Sequence, residues 1–100
     1  MAVGVAIDPE RIAEFCRRNG IHRLSLFGSV LRDDFRPDSD VDVLVEFEPE
    51  VRVGLFDIAG MEIELGEMIG RRIDLRTSRD LSRYFRDDVV RTALPLYVAA

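Results

Sequence analysis

Apolar and polar positions alternate most regularly over residues 40–47. Val41, Val43, Val45 and Phe47 fall on one side of an extended chain, with Asp40 and Asp42 on the other. That pattern predicts a strand with one buried face, broken by Glu48-Pro49-Glu50. Ile21–Phe27 alternates too, Leu24 and Leu26 against Arg23, Ser25 and Phe27, and predicts an earlier strand. In residues 72–76, Ile73 and Leu75 turn inward and Asp74 shares the outer face with arginines, which predicts a third. Helical spacing appears elsewhere. Asp8-Pro9-Glu10 reads as an N-cap, a first-turn proline and a first-turn acid, and Asn19-Gly20 as a stop, so a helix is expected over residues 9–19. Leu55, Ile58, Met61 or Glu62, Leu65, and Met68 or Ile69 recur at a helical period up to Gly70, and predict a longer helix packed on the sheet. Thr77-Ser78 offers a cap for helical segments over residues 81–94, and residues 95–98 a short extended end.

Strands and helices interleaved over 100 residues predict one α/β (α+β) domain spanning 1–100, a small mixed sheet with helices packed against it. Composition agrees: 47% hydrophobic and 33% charged is ordinary for a globular chain. No apolar run approaches the roughly 20 residues of a membrane span, and MAVGVAIDPE lacks the basic region of a secretory signal, so a cytoplasmic location without membrane contact is expected. The single cysteine, Cys16, excludes an internal disulfide and shares a helical face with Ile12 and Phe15, as a buried structural thiol would. Net charge is −5, and all fourteen basic residues are arginine, a bias best ascribed to genome composition. Strong non-specific nucleic-acid binding is not expected of an acidic domain, because such binding rests on phosphate neutralisation.

Candidate chemistry gathers between Gly28 and Phe47. Asp40 and Asp42, two residues apart in a strand, direct both carboxylates to one side, where like charges repel unless a partner holds them. A hard divalent cation is such a partner, and Mg²⁺ suits one or two carboxylates plus substrate phosphates. Upstream, Gly28-Ser29 follows a strand and opens a helical turn, where a phosphate can approach backbone N–H groups. Arg32 falls in the same turn, within reach of a phosphate. A calcium loop on Asp38, Asp40 and Asp42 is excluded: its sixth position would be Val43 where glycine is needed, and its twelfth Pro49 where Glu belongs. Asp74, between arginines, reads on its own as a surface ion pair, and Arg71, Arg72 and Arg76 as a solvated face or a triphosphate or partner site. His22 has no neighbouring ligand and is not expected to be catalytic.

Gly28-Ser29, ten residues, then Asp40-Val41-Asp42 resembles the hallmark of the nucleotidyltransferase superfamily that includes DNA polymerase β. The surrounding residues resemble its minimal nucleotidyltransferase (MNT) group, commonly the antitoxin halves of HEPN/MNT toxin–antitoxin pairs. That resemblance implies the nucleotidyltransferase fold, with Asp40, Asp42 and Asp74 as catalytic metal ligands, two Mg²⁺ ions, and ATP as substrate near Gly28, Ser29 and Arg32. It further implies transfer of AMP to a tyrosine hydroxyl of a cognate HEPN ribonuclease toxin, which would be the partner in a hetero-oligomer. Val30-Leu31-Arg32-Asp33-Asp34 is bulkier and more acidic than in relatives with small residues after Gly-Ser. The alternatives are an antitoxin that neutralises by binding alone, and nucleotidyl transfer to a small molecule.

Overall fold

The computed structural model describes residues 7–28, 40–77, 87 and 91–99. Helix α1 (Pro9–Arg18) begins where the Asp8 carboxylate accepts the Glu10 N–H at 3.1 Å, satisfying a donor the first turn cannot pair internally. It ends at Asn19, whose side-chain amide donates to the Phe15 carbonyl at 2.8 Å. Strand β1 (Ile21–Phe27) leads to Gly28, and β2 (Val41–Phe47) returns antiparallel beside it. Helix α2 (Leu55–Ile69) then crosses over to β3 (Ile73–Thr77), which lies parallel to β2. Parallel neighbours need such a crossover, and a helix is its usual form. Strand β4 (Leu94–Val98) pairs antiparallel with β1, giving the order β3-β2-β1-β4. The sheet is therefore mixed, as the sequence pattern predicts.

One face of the sheet carries the core. Leu24 and Leu26 of β1, Val41, Val43 and Val45 of β2 and Leu75 of β3 pack in one cluster with Ile12, Phe15 and Cys16 of α1 and Met61, Leu65 and Ile69 of α2. The predicted inner faces of the strands and of α1 are those observed. Three expectations need correction. Leu55 is 88% exposed at the first position of α2, outside the core that Met61, Leu65 and Ile69 join. Leu44 is buried although it faces away from the valines, so the second face of β2 is not wholly polar. Leu94 begins β4 and does not end a helix; its backbone is taken up by pairing with Leu26, and only Asp87, Arg91 and Thr92 are helical among the described residues of 81–94. Pro95 fits this strand because β4 is an edge, where a missing N–H is tolerated.

The turn from α2 into β3 is closely specified. Gly70 adopts φ +79°, a left-handed cap that glycine enters without strain, and its N–H and that of Arg71 both donate to the Gly66 carbonyl, at 2.7 and 3.2 Å. Gly66 also lets the helix approach the chain, since a Cβ there would stand 3.0 Å from the Arg71 carbonyl. Among the described residues no helix is long and apolar enough to cross a membrane.

Leu65 is fully buried, so Leu65→Ala is expected to destabilise the domain by about 2–5 kcal/mol in urea titration. Burial pushes the Cys16 thiol up to about 12 from 9.0, against a smaller opposing influence of Arg17. The native state thus holds this proton more tightly than the unfolded chain. Its contribution to stability is present in full below pH 9 and is lost as pH rises towards about 12. Denaturant midpoints from neutral to alkaline pH should show that loss for the wild type and a smaller one for Cys16→Ala, and the native thiol should resist thiol reagents at pH 8.

Candidate active site

Pairing of β2 with β3 sets the centre of the site. Their parallel register places Asp42 beside Asp74, while the antiparallel register with β1 places Phe27 on the other side of Asp42. Gly28 follows Phe27 at φ +75°, and a Cβ at this position would strike the Asp42 carboxylate. Glycine is required there twice over, for its backbone angle and for the space the carboxylate occupies. The Gly28 backbone and the Asp42 side chain are therefore adjacent in space although fourteen residues apart in the chain.

Asp42 is half-buried, and its carboxyl is pushed up from the ordinary carboxylate range. Burial is the first cause and the Asp74 charge the second; Arg76 opposes them, and Asp40 adds a smaller repulsion. Asp74 is gripped by Arg76 through two bonds, Nε to Oδ1 at 3.0 Å and Nη2 to Oδ2 at 3.2 Å. Asp40 lies just ahead of β2, is exposed, and meets Arg72 Nε at 3.2 Å. The predicted carboxylates are thus all at one end of β2 and β3. Asp42 and Asp74 are brought side by side, whereas Asp40 stands at the rim facing an arginine. Among the described residues, no three carboxylate, histidine or cysteine side chains converge closely enough to form a ready-made metal cage. What the sheet supplies instead is an oxygen-only pair beside a glycine backbone, a donor set suited to Mg²⁺ completed by substrate phosphates.

Ser29 and Arg32 lie outside the described residues. Arg72 and Arg76, read from sequence as a solvated face or a phosphate or partner site, are engaged with Asp40 and Asp74. His22 is exposed at the opposite end of β1, 3.4 Å from Glu48, away from the carboxylates. Glu62 was not singled out by sequence: Oε2 accepts the Leu75 N–H at 2.7 Å, one residue from Asp74. Its signal was an acid inside the apolar stripe of α2, four residues after Ile58 and three before Leu65. Beside it, a cavity of about 590 Å³ opens between α2 and the start of β3, with Asp40, Glu62, Ile63, Arg72 and Ile73 in its wall.

Raising the Asp42 carboxyl means that its ionised form is held at the expense of stability. Asp42→Asn should therefore raise the thermal midpoint of the protein in chelator at pH 7, measured by calorimetry. An unchanged or lower midpoint would contradict this electrostatic picture.

Residues 9–95 match the family model described as nucleotidyltransferase domain. The chain is 35% identical to the protein adenylyltransferase MntA of Thermococcus cleftensis, covering 78% of this chain and 77% of the relative. It is also similar to a minimal nucleotidyltransferase of solved structure, at 38% identity and a TM-score of 0.71, covering 87% of each chain. A more distant fold match, at 20% identity and a TM-score of 0.64, is found in the complex of a tri-AMPylated Shewanella oneidensis HEPN toxin with its MNT antitoxin, over 91% of this chain and 70% of the other. The match over most of the chain, on a sheet that sets Gly28 against Asp42 and Asp42 against Asp74, gives the conclusion that this chain belongs to the nucleotidyltransferase domain family and is a nucleotidyltransferase.

Proposed function

We propose that this domain transfers AMP from ATP to a tyrosine hydroxyl of a HEPN-type toxin, and so acts as its antitoxin. The observation that carries the catalytic part is the register of Asp42 beside Asp74 with the Gly28 backbone against Asp42. Two similarities support the partner: a relative named protein adenylyltransferase, and a fold match found in complex with an AMPylated toxin.

In this reading the acceptor oxygen attacks the α-phosphorus of ATP in line, a new P–O bond forms, and the bond to pyrophosphate breaks. The hydroxyl proton passes to a base, the Asp74 carboxylate or water, as that bond forms. Asp42 and Asp74, with Asp40 at the rim, would hold Mg²⁺, which when bound supplies positive charge to the attacking and leaving oxygens. The chain's own contribution is position and field. Gly28 leaves its backbone open to a phosphate because no side chain intervenes. Ser29 and Arg32, in this reading, bind the triphosphate. Asp42, half-buried and repelled by its neighbours, is poised to gain from a cation or a proton, either of which relieves the same repulsion. Arg72 and Arg76 balance Asp40 and Asp74, and lie close enough to the site to meet phosphate oxygens.

Intact-mass spectrometry tests the proposal on the product of the gene neighbouring this one, incubated with this chain, ATP and Mg²⁺. The partner should gain one or more adenylyl groups, with peptide mapping placing them on tyrosine. Chelator should abolish the gain, and the Asp40→Asn/Asp42→Asn double variant should slow it by at least about 100-fold. A stable complex without added mass from any of the four common ribonucleoside triphosphates would replace this reading with neutralisation by binding alone.

A further inference from the structure

β3 is an edge strand, so only alternate backbone groups find partners in β2. Arg72 faces β2, its carbonyl accepting the Val41 N–H at 2.8 Å, and strand alternation gives Asp74 and Arg76 the same inward sense. Leu75 therefore directs its N–H away from the sheet, where an edge donor needs another acceptor. Glu62 provides it from α2 at 2.7 Å, from a half-buried position. Two contacts one turn further along the same helix act on the same segment. The Gly66 carbonyl takes the N–H of Gly70 and of Arg71, and its missing side chain admits the Arg71 backbone. Beyond Arg71, the Glu62 bond ties α2 to the β3 backbone between Asp74 and Arg76.

We propose that Glu62 is a positioning residue of the nucleotidyl-transfer site, which fixes β3 along β2 and thereby sets Asp74 against Asp42. Repulsion between the two carboxylates pushes these strands apart at their edge, where β3 has no further strand to restrain it. A bond from the helix to the Leu75 amide fixes the position of β3 along its length next to Asp74, so the ladder and not the repulsion sets the register. Glu62 needs no contact with substrate for this role. It acts as the outer support of a ligand pair, the kind of partner whose loss typically lowers metal affinity 10- to 100-fold. The inference rests on the reading of Asp42 and Asp74 as metal ligands.

The test is Mn²⁺ affinity of the whole chain, followed by electron paramagnetic resonance without nucleotide, together with hydrogen exchange at β3. Glu62→Ala is expected to weaken Mn²⁺ binding by about 10-fold or more and to speed exchange of the Leu75 amide. Glu62→Gln, which keeps the acceptor, should restore both; Glu62→Asp, which keeps the charge but shortens the reach, should not. Should the alanine variant fail to fold, the Gln and Asp pair decides the matter. Ile12→Val in α1 serves as a destabilised control remote from the site, and should bind Mn²⁺ as the wild type does. Normal affinity in folded Glu62→Ala or Glu62→Asp, with Asp42→Asn impaired, would overturn the positioning role alone. Wild-type protein that does not bind Mn²⁺, or Asp42→Asn that binds it normally, would overturn the metal-site reading and the role of Glu62 with it.

Discussion

The candidate site of this domain is organised around two carboxylates held side by side across a parallel pair of strands. Asp42 and Asp74 share one register position, and burial first, then the Asp74 charge, raises the carboxyl of Asp42. Backbone hydrogen bonds of the ladder oppose that repulsion, and the core packed on the other face of the same strands reinforces them. Val41, Val43, Val45 and Leu75 are buried beneath α1 and α2, so the polar face cannot rearrange without disturbing the apolar one. The site is thus built as the reverse side of the hydrophobic core.

That arrangement explains the course of the chain around it. A parallel partner for β2 requires a crossover, and α2 both supplies it and covers the valines. The helix ends at Gly70 because a left-handed residue is needed to turn directly into β3. Gly28 follows β1 with a left-handed backbone too, and the Asp42 carboxylate in addition occupies the place of a side chain. Both glycines serve the position of one strand end relative to another, and both lie at the end of the sheet where the carboxylates gather.

Charge balance at this end is local. Arg76 holds Asp74 with two bonds and Arg72 meets Asp40, while Asp42, between them, is the carboxylate whose ionisation is resisted. An acidic chain with net charge −5 thus places arginines against the acids of its candidate site without becoming a basic surface. Such pairs at partly exposed positions add little to stability. Their consequence is electrostatic: Arg76 partly offsets the burial and repulsion that raise the Asp42 carboxyl.

Local pattern alone determined the three main strands, both long helices and the inner faces of Leu24, Leu26 and the β2 valines, because periodicity and caps are properties of neighbouring residues. Gly-Ser and Asp-x-Asp were legible for the same reason, as a spacing within one stretch of chain. Tertiary structure decided what depends on distant residues. Asp74, ambiguous beside its arginines in sequence, became a neighbour of Asp42 only when β3 took its register on β2. Glu62 looked like a polar interruption of an apolar stripe until the edge of β3 presented the Leu75 N–H to it. Leu94 followed its place beside Leu26 in the sheet, and Leu55 its exposed place at the start of α2, because burial and pairing are set by where elements meet and no local pattern contains that information.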